Sequence, residues 1–230
     1  MSSQSQPLGR RERGKLERAA RIADAAAALF DEAPFSEVTT QAIARSADVA
    51  EGTLFRYACS KTELLVMALN TRFEAALEDG LAKASALPTL DTAGRLDALA
   101  SALLAIGEHR PDNAALYQRE LLFPTMSGDY LTEGERIARR WESAIAEPFK
   151  DLAAALAAKA PHAVEPLKRE GRLAASAAWD AIQLSVARRA RAGFPPLSHA
   201  DLRGQFELLV RALTRTEVVN NNPITIQESR

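Results

Sequence analysis

At 230 residues, with 47% hydrophobic and 26% charged side chains, the chain has the length of one large domain or of a small domain plus a medium one. Collagen-like, mini-protein and multi-domain architectures are excluded. A net charge of −1 names no partner, and the single cysteine, Cys59, excludes an intramolecular disulfide and multi-cysteine zinc sites and suits a reducing compartment.

The charge is unevenly placed. Residues 8–21 hold Arg10, Arg11, Arg13, Lys15, Arg18 and Arg21 against Glu12 and Glu17, a local +4; residues 22–62 sum to −3 and the remainder to −2. Residues 1–14 therefore read as a flexible basic arm that draws in polyanions. Charged residues follow Arg10–Arg11 where an export signal needs an apolar stretch, and no apolar run approaches the ~18 residues of a membrane span. The expected location is the cytoplasm, with no membrane partner.

In chain order, Ile22, Ala26, Leu29 and Phe30 share one face of a helix predicted over 15–32, which Ala33–Pro34 ends. Thr39 reads as the cap of a two-turn helix that buries Ile43, Ala44 and Ala47. Residues 48–52 interrupt, and a second short helix is predicted over 53–58 with Leu54 inward. Ser60-Lys61-Thr62-Glu63 has the form of a capping box and opens a long helix, striped by Leu65, Leu69, Phe73, Leu77 and Leu81, that Pro88 stops. Further helices are predicted near 92–109, 112–123, 130–159 (kinked by Pro148), 164–191 and 198–215, the last capped by Ser198 after the Gly193–Pro196 connector. The tail from 217 to 230 reads as disordered. No period-two strand pattern occurs before the tail, so the fold class is all-α.

Two short helices joined by a tight turn form a helix-turn-helix, whose second helix enters the major groove of DNA. The run from Thr39-Thr40 through Ile43-Ala44, Val49, Gly52-Thr53-Leu54, Phe55-x-Tyr57 and Ser60-Lys61-x-Glu63-Leu64-Leu65 closely resembles the TetR family of bacterial transcriptional regulators, over about 50 residues from Arg13 to Ala68. The resemblance implies an N-terminal three-helix DNA-binding domain (15–62, motif about 39–58) followed by a larger helical domain (63–216) for effector binding and dimerisation. It also implies a ligand-responsive repressor that grips a palindromic operator as a homodimer.

Residue by residue, the resemblance makes Thr53, Arg56 and Tyr57 the groove-facing candidates. Thr40 becomes a phosphate-facing candidate, Thr39, Gln41, Gly52 and Phe55 further DNA-binding candidates, and Lys61 a phosphate ligand at a helix start. Phe55 stands where a tyrosine is usual. Glu51 is an acidic departure, read either as a cytosine contact or as a solvated helix-start carboxylate. Asp48 stands where glycine is common. The dimer is expected from Ala177, Ala178, Ala181, Ile182 and Ser185 on one helix against Leu202, Phe206, Leu209, Val210 and Leu213 on the next, faces that serve an intramolecular core equally well.

Tyr117, Glu120, Phe123, Met126, Trp141, Phe149, Trp179 and Gln183 combine apolar bodies with a few polar tips, and form the candidate lining of a chamber for a small-molecule effector. Ordinary core packing is the competing role for each. No catalytic motif occurs, His109, His162 and His199 lack metal-ligand spacing, and neither a metal nor a cofactor is expected. Cys59 reads as a buried, inert thiol, with a redox switch as the alternative. The rival function is a helical protein–protein interaction module without sequence-specific DNA binding.

Overall fold

The computed structural model describes residues 9–191, 193–195 and 197–219, and every regular element among them is helical. Helix α1 spans Arg10–Glu32, α2 Thr40–Ser46, α3 Glu51–Leu54 and α4 Lys61–Ser85. Beyond them lie α5 (Thr92–Ala105), α6 (Pro111–Leu122), α7 (Asp129–Lys159), a single 3₁₀ turn at Pro161–Ala163, α8 (Val164–Arg189) and α9 (His199–Val219). None of these helices is long and apolar enough to cross a membrane.

The helix starts follow local chemistry. Thr39 Oγ1 accepts from the Ala42 amide at 3.1 Å, and Ser60 Oγ accepts from the Glu63 amide at 3.1 Å. Glu63 closes that cap on the amide of Cys59, at 2.5 Å, rather than on Ser60 itself. Ser198 and Asp201 cap α9 reciprocally, through the Asp201 amide at 3.1 Å and the Ser198 amide at 3.1 Å. Two free amides are satisfied at the α9 cap and one by each of the other hydroxyls, which fixes where each helix begins.

Several boundaries differ from expectation. Helix α1 starts at Arg10, so Arg10–Gly14 of the expected arm are helical: arginine, glutamate and lysine are good helix formers, and one interior glycine costs only about 1 kcal/mol. Helix α5 stops at Ala105, four residues early, and α9 runs on to Val219, into the segment read as a disordered tail. The expected tail beyond Val219 lies outside the described residues. Helix α7 holds Pro148 inside one element, as the 130–159 reading has it, and Thr92 Oγ1 donates to the Pro148 carbonyl at 3.5 Å.

One hydrophobic cluster runs from Ile22 on α1 through Leu65, Leu96 and Trp141 to Leu213 on α9. Helix α4 is its spine. The stripe on α4 rotates, because steps of four residues drift by about 40° each on a helix of 3.6 residues per turn: Leu65 and Leu77 are buried, whereas Leu81 is exposed. Gly80 takes the buried position, where a Cβ would meet Ala102 Cβ at 3.2 Å and Leu99 Cδ2 at 3.3 Å, so α4 and α5 touch nearly backbone to backbone.

The expected dimer faces are largely interior. Ala178, Ile182 and Ser185 on α8, and Leu202, Phe206 and Leu213 on α9, are buried within the single chain. Each of the two helices carries more than one apolar stripe, and the more continuous one packs inward on the bundle. The outer surface instead presents Leu173, Ala177 and Leu184 on α8, at one helical spacing, beside Leu208 and Ala212 on α9.

Candidate DNA interface and effector chamber

The helix-turn-helix is closed by its turn. The Val49 amide donates to the Ala44 carbonyl at 3.0 Å and the Asp48 amide to the Arg45 carbonyl at 3.2 Å, with Asp48 at φ 53°. This is the Schellman arrangement, in which the residue after the C-cap is left-handed. Aspartate occupies it at some steric cost, because only glycine enters that region freely. The turn leaves Leu54, fully buried, to pack with the equally buried Ile43.

Helix α3 itself is only Glu51–Leu54, starting two residues earlier and ending four earlier than expected. It continues as tighter turns, with Arg56 N–H donating to the Thr53 carbonyl at 3.1 Å and Tyr57 N–H to the Leu54 carbonyl at 2.9 Å. Glu51, Gly52, Phe55 and Arg56 are exposed on the outer side of this segment, Thr53 and Tyr57 are half-buried, and Thr39 and Gln41 are exposed beside them. The candidates on both motif helices are thus open to solvent in whole or part. The six cations of residues 10–21 all lie exposed along α1.

Two candidates are already engaged. Thr40 Oγ1 donates to Glu51 Oε1 at 2.8 Å, tying the start of α2 to the start of α3. Lys61 Nζ donates to the carbonyls of Phe35 and Val38, at 2.8 and 3.0 Å, and stands 4.4 Å from the Phe35 ring centroid. Its ammonium therefore fastens the α1–α2 loop to the start of α4, and only its third hydrogen is left for another acceptor. Cys59 is exposed, against the expectation of burial, because only Ala58, the residue before it, turns into the core.

A second set of contacts joins this domain to the rest of the chain. Asn113 on α6 is buried; its Nδ2 donates to the carbonyls of Phe30 (2.6 Å) and Ala33 (3.0 Å), and its Oδ1 accepts from the Phe35 amide at 2.8 Å. Arg72 on α4 pairs with Asp31 at the end of α1. Within the larger domain, Asn70 on α4 accepts from the Tyr117 hydroxyl at 2.8 Å and donates to the Tyr130 carbonyl at 2.8 Å. Burial, with the Glu133 charge adding to it, pushes the Tyr117 phenol well above its usual range, so it remains a donor at any physiological pH.

The interior between α4, α5, α6, α7 and α8 contains a void of about 20 Å³, room for about one water molecule. Tyr117, Trp141, Trp179 and Gln183 line it, together with Phe73 and Leu103, which sequence reasoning had assigned only to packing or not singled out. Phe73 stacks on Tyr117 with centroids 4.5 Å apart, and its carbonyl accepts from Trp141 Nε1 at 3.1 Å.

Four candidates lie elsewhere. Phe149 is sealed in the core, Phe123 is 72% exposed at the end of α6, and Met126 is half-buried in the following loop. The buried Glu120 accepts from Arg119 at 2.6 Å and from the Thr125 hydroxyl and amide at 2.7 and 3.0 Å. Burial alone raises its carboxyl, but those hydrogen bonds outweigh burial and hold it below the usual glutamate range. It is a loop anchor. Periodicity placed these residues on the middle helices without saying which way each faced, and nothing in the sequence around Asn113 announced its three long-range bonds.

Comparison with known proteins places these features. Residues 22–68 match the sequence model of the bacterial regulatory proteins of the tetR family. The HTH-type transcriptional repressor KstR of Mycolicibacterium smegmatis is 48% identical over 58 residues, 25% of this chain and 28% of that protein, so the match spans little more than a quarter of the relative's length. A TetR-family regulator from Mesorhizobium loti superposes with a TM-score of 0.55 at 17% identity, over 91% of this chain and 98% of the other. The TetR-family repressor FadR of Thermus thermophilus, solved with lauroyl-CoA, gives 0.54 at 25% identity over 86% and 93%. Residues 22–68 thus match the DNA-binding region of the bacterial regulatory proteins of the tetR family, and the fold is shared with TetR-family structures along nearly the whole chain.

Proposed function

We propose that the protein is a ligand-responsive transcriptional repressor that binds a palindromic operator as a homodimer and is released by a small-molecule effector. The observation that carries this reading is the exposed surface of the second motif helix. Arg56 and Gly52 face solvent, Thr53 and Tyr57 are partly exposed, the surface lies in the matched region, and the first half of α1, just before that region, carries six exposed cations. Arg56 is the candidate for base edges, with Thr53 and Tyr57 beside it. Thr39, Thr40, Gln41 and Phe55 border the phosphate backbone, and the cations of α1 supply a sequence-independent attraction.

One such motif reads few bases, so two are needed on half-sites about 34–36 Å apart or a multiple of that. The exposed stripes of α8 (Leu173, Ala177, Leu184) and α9 (Leu208, Ala212) provide the apolar surface for pairing. Effector binding is assigned to the space around Tyr117, Trp141, Trp179 and Gln183. Almost no free volume exists there, so a ligand must part Phe73 from Tyr117, and Phe73 belongs to α4. Displacing α4 moves Lys61 and Arg72, and with them the loop and helix end that set the motif's angle. Release requires the effector to favour the spread arrangement, since equal affinity for both shifts nothing.

Selection of bound duplexes from a random pool tests this reading. A palindromic consensus whose binding weakens steeply with salt supports it, and salt-insensitive association without sequence preference rejects it.

A further inference from the structure

The small void does not stand alone. A second one, of about 10 Å³, shares Phe73, Leu103 and Val186 with it as walls, and reaches Gly107, Pro111 and Arg189 on its other side. Those last three residues also line an open surface depression of about 490 Å³, bordered by Glu108, Ser198 and His199. Each space therefore shares walls with the next, from the centre of the bundle to the surface where α5 and α8 end and α6 and α9 begin.

Arg189 stands at the junction between the apolar part and the water. It is half-buried, and its Nη1 donates to the Leu104 carbonyl at 2.9 Å. Among the described residues no carboxylate forms an ion pair with it, whereas Arg95, Arg110, Arg119, Arg136 and Arg140 all have one. A cation in the last turn of a helix is favourable in itself. That preference is met equally by a side chain turned to solvent, and it does not account for a guanidinium lining both the inner void and the surface depression. Four N–H donors remain in a fork suited to a carboxylate or phosphate.

We propose that these adjoining spaces are the effector's way in and that Arg189 anchors its head. The effector is then an elongated amphiphile: an unbranched apolar body that wedges past Phe73 and Val186 toward Trp141, ending in an anion held at Arg189. This rests on the ligand-responsive reading above and adds the ligand's shape, charge and orientation. The wedge separates Phe73 from its partners on α6 and α7, so occupancy acts directly on α4.

The test uses the whole protein and the fluorescence of its two tryptophans, Trp141 and Trp179, both of which line the inner void. Laurate, dodecyl phosphate, lauroyl-CoA and uncharged dodecanol are titrated below their micellar concentrations into wild type, Arg189→Gln and Arg189→Lys. The expected result is a saturable spectral change with at least one anionic probe. Its Kd should rise about tenfold or more in Arg189→Gln, the loss of a charge-assisted contact, be partly restored in Arg189→Lys, and be unaltered for dodecanol. Whether laurate, the phosphate or the thioester binds most tightly identifies the head.

The proposal is overturned if no probe alters the spectrum, if dodecanol matches the anions in wild type, or if Arg189→Gln leaves the anionic probes unaffected. Arg189→Gln that fails to fold is recognised by its melting curve, and Arg189→Lys then carries the comparison, with a Kd for the anions equal to wild type's and no head-group preference overturning the anchor. Operator binding by ligand-free Arg189→Gln is expected at the wild-type level. Failure of the ligand-free wild type to bind any operator, with probe binding intact, would count against the repressor reading and leave the anchor standing.

Discussion

Gly52 offers a substitution in which stability and function should move in opposite directions. It lies in the first turn of α3, its φ is not positive, and a Cβ built there meets nothing within 4 Å. Nothing in the protein requires glycine at this position. Alanine should therefore stabilise the fold, by up to about 1 kcal/mol from helix propensity and reduced unfolded-state freedom, raising Tm by roughly 2–4 °C for a chain of this size. In the proposed complex the same methyl group would stand between the helix backbone and the groove wall. A loss of about 1.4 kcal/mol per half-site is tenfold, or about a hundredfold for a two-half-site operator. Thermal melting and fluorescence anisotropy on one selected operator, run side by side, decide it. Wild-type affinity in Gly52→Ala would refute the placement of this surface against DNA, and a lowered Tm would refute the reading of the space around it.

Other perturbations probe the links between motif and chamber. Lys61→Ala should lower stability by about 1–2 kcal/mol, because two loop carbonyls lose their charged donor, while the slope of log affinity against log salt stays the same. A slope reduced by about one unit per subunit would instead restore Lys61 as a phosphate ligand. Asn113→Ala leaves the Phe30 and Ala33 carbonyls and the Phe35 amide without their side-chain partner, at about 1–3 kcal/mol for each group that stays buried. It should also weaken the effector's control over DNA binding more than it weakens effector binding itself; equal loss of both would make Asn113 a purely structural residue. Glu120 has a folded pKa below its unfolded one, so its contribution is complete above the unfolded value and is lost as pH falls through the folded one. The stability gap between wild type and Glu120→Gln should accordingly be widest near neutrality and close on acidification, as read by denaturant melts across pH; a gap independent of pH would contradict the assignment.

The parts of this architecture that rest on local rules were legible in the sequence. Thr39, Ser60 and Ser198 are hydroxyls placed to cap helices, and each does so. The motif's register follows from Ile43, Ala44 and the C-cap Ala47 on the inner side of its first helix and Leu54 on that of its second, all of them buried. Long-range partners were not legible. A lysine in the first turn of a helix reads the same whether its ammonium faces a phosphate or, as here, two carbonyls 23 and 26 residues earlier. Helices α8 and α9 carry apolar residues on more than one face, and periodicity cannot rank an inward stripe against an outward one, so Phe206 and Ile182 read as dimer face or core alike until the structure buries them within the chain. The chamber suffered from the same ambiguity. Phe149 and Trp141 lie eight residues apart on α7, yet only Trp141 reaches the void, because the rotation of α7 is set by neighbours that no local pattern encodes.

The most direct measurement is the bound consensus itself: the full-length protein, a pool of random duplexes, and sequencing of what it retains at two salt concentrations. An inverted repeat with half-site centres about one helical turn or a multiple apart, whose base preference relaxes at a defined position in each half when Arg56 is replaced by alanine, is the predicted outcome. A retained pool without symmetry, or a consensus that Arg56→Ala leaves intact, would contradict the claim that this short helix reads DNA.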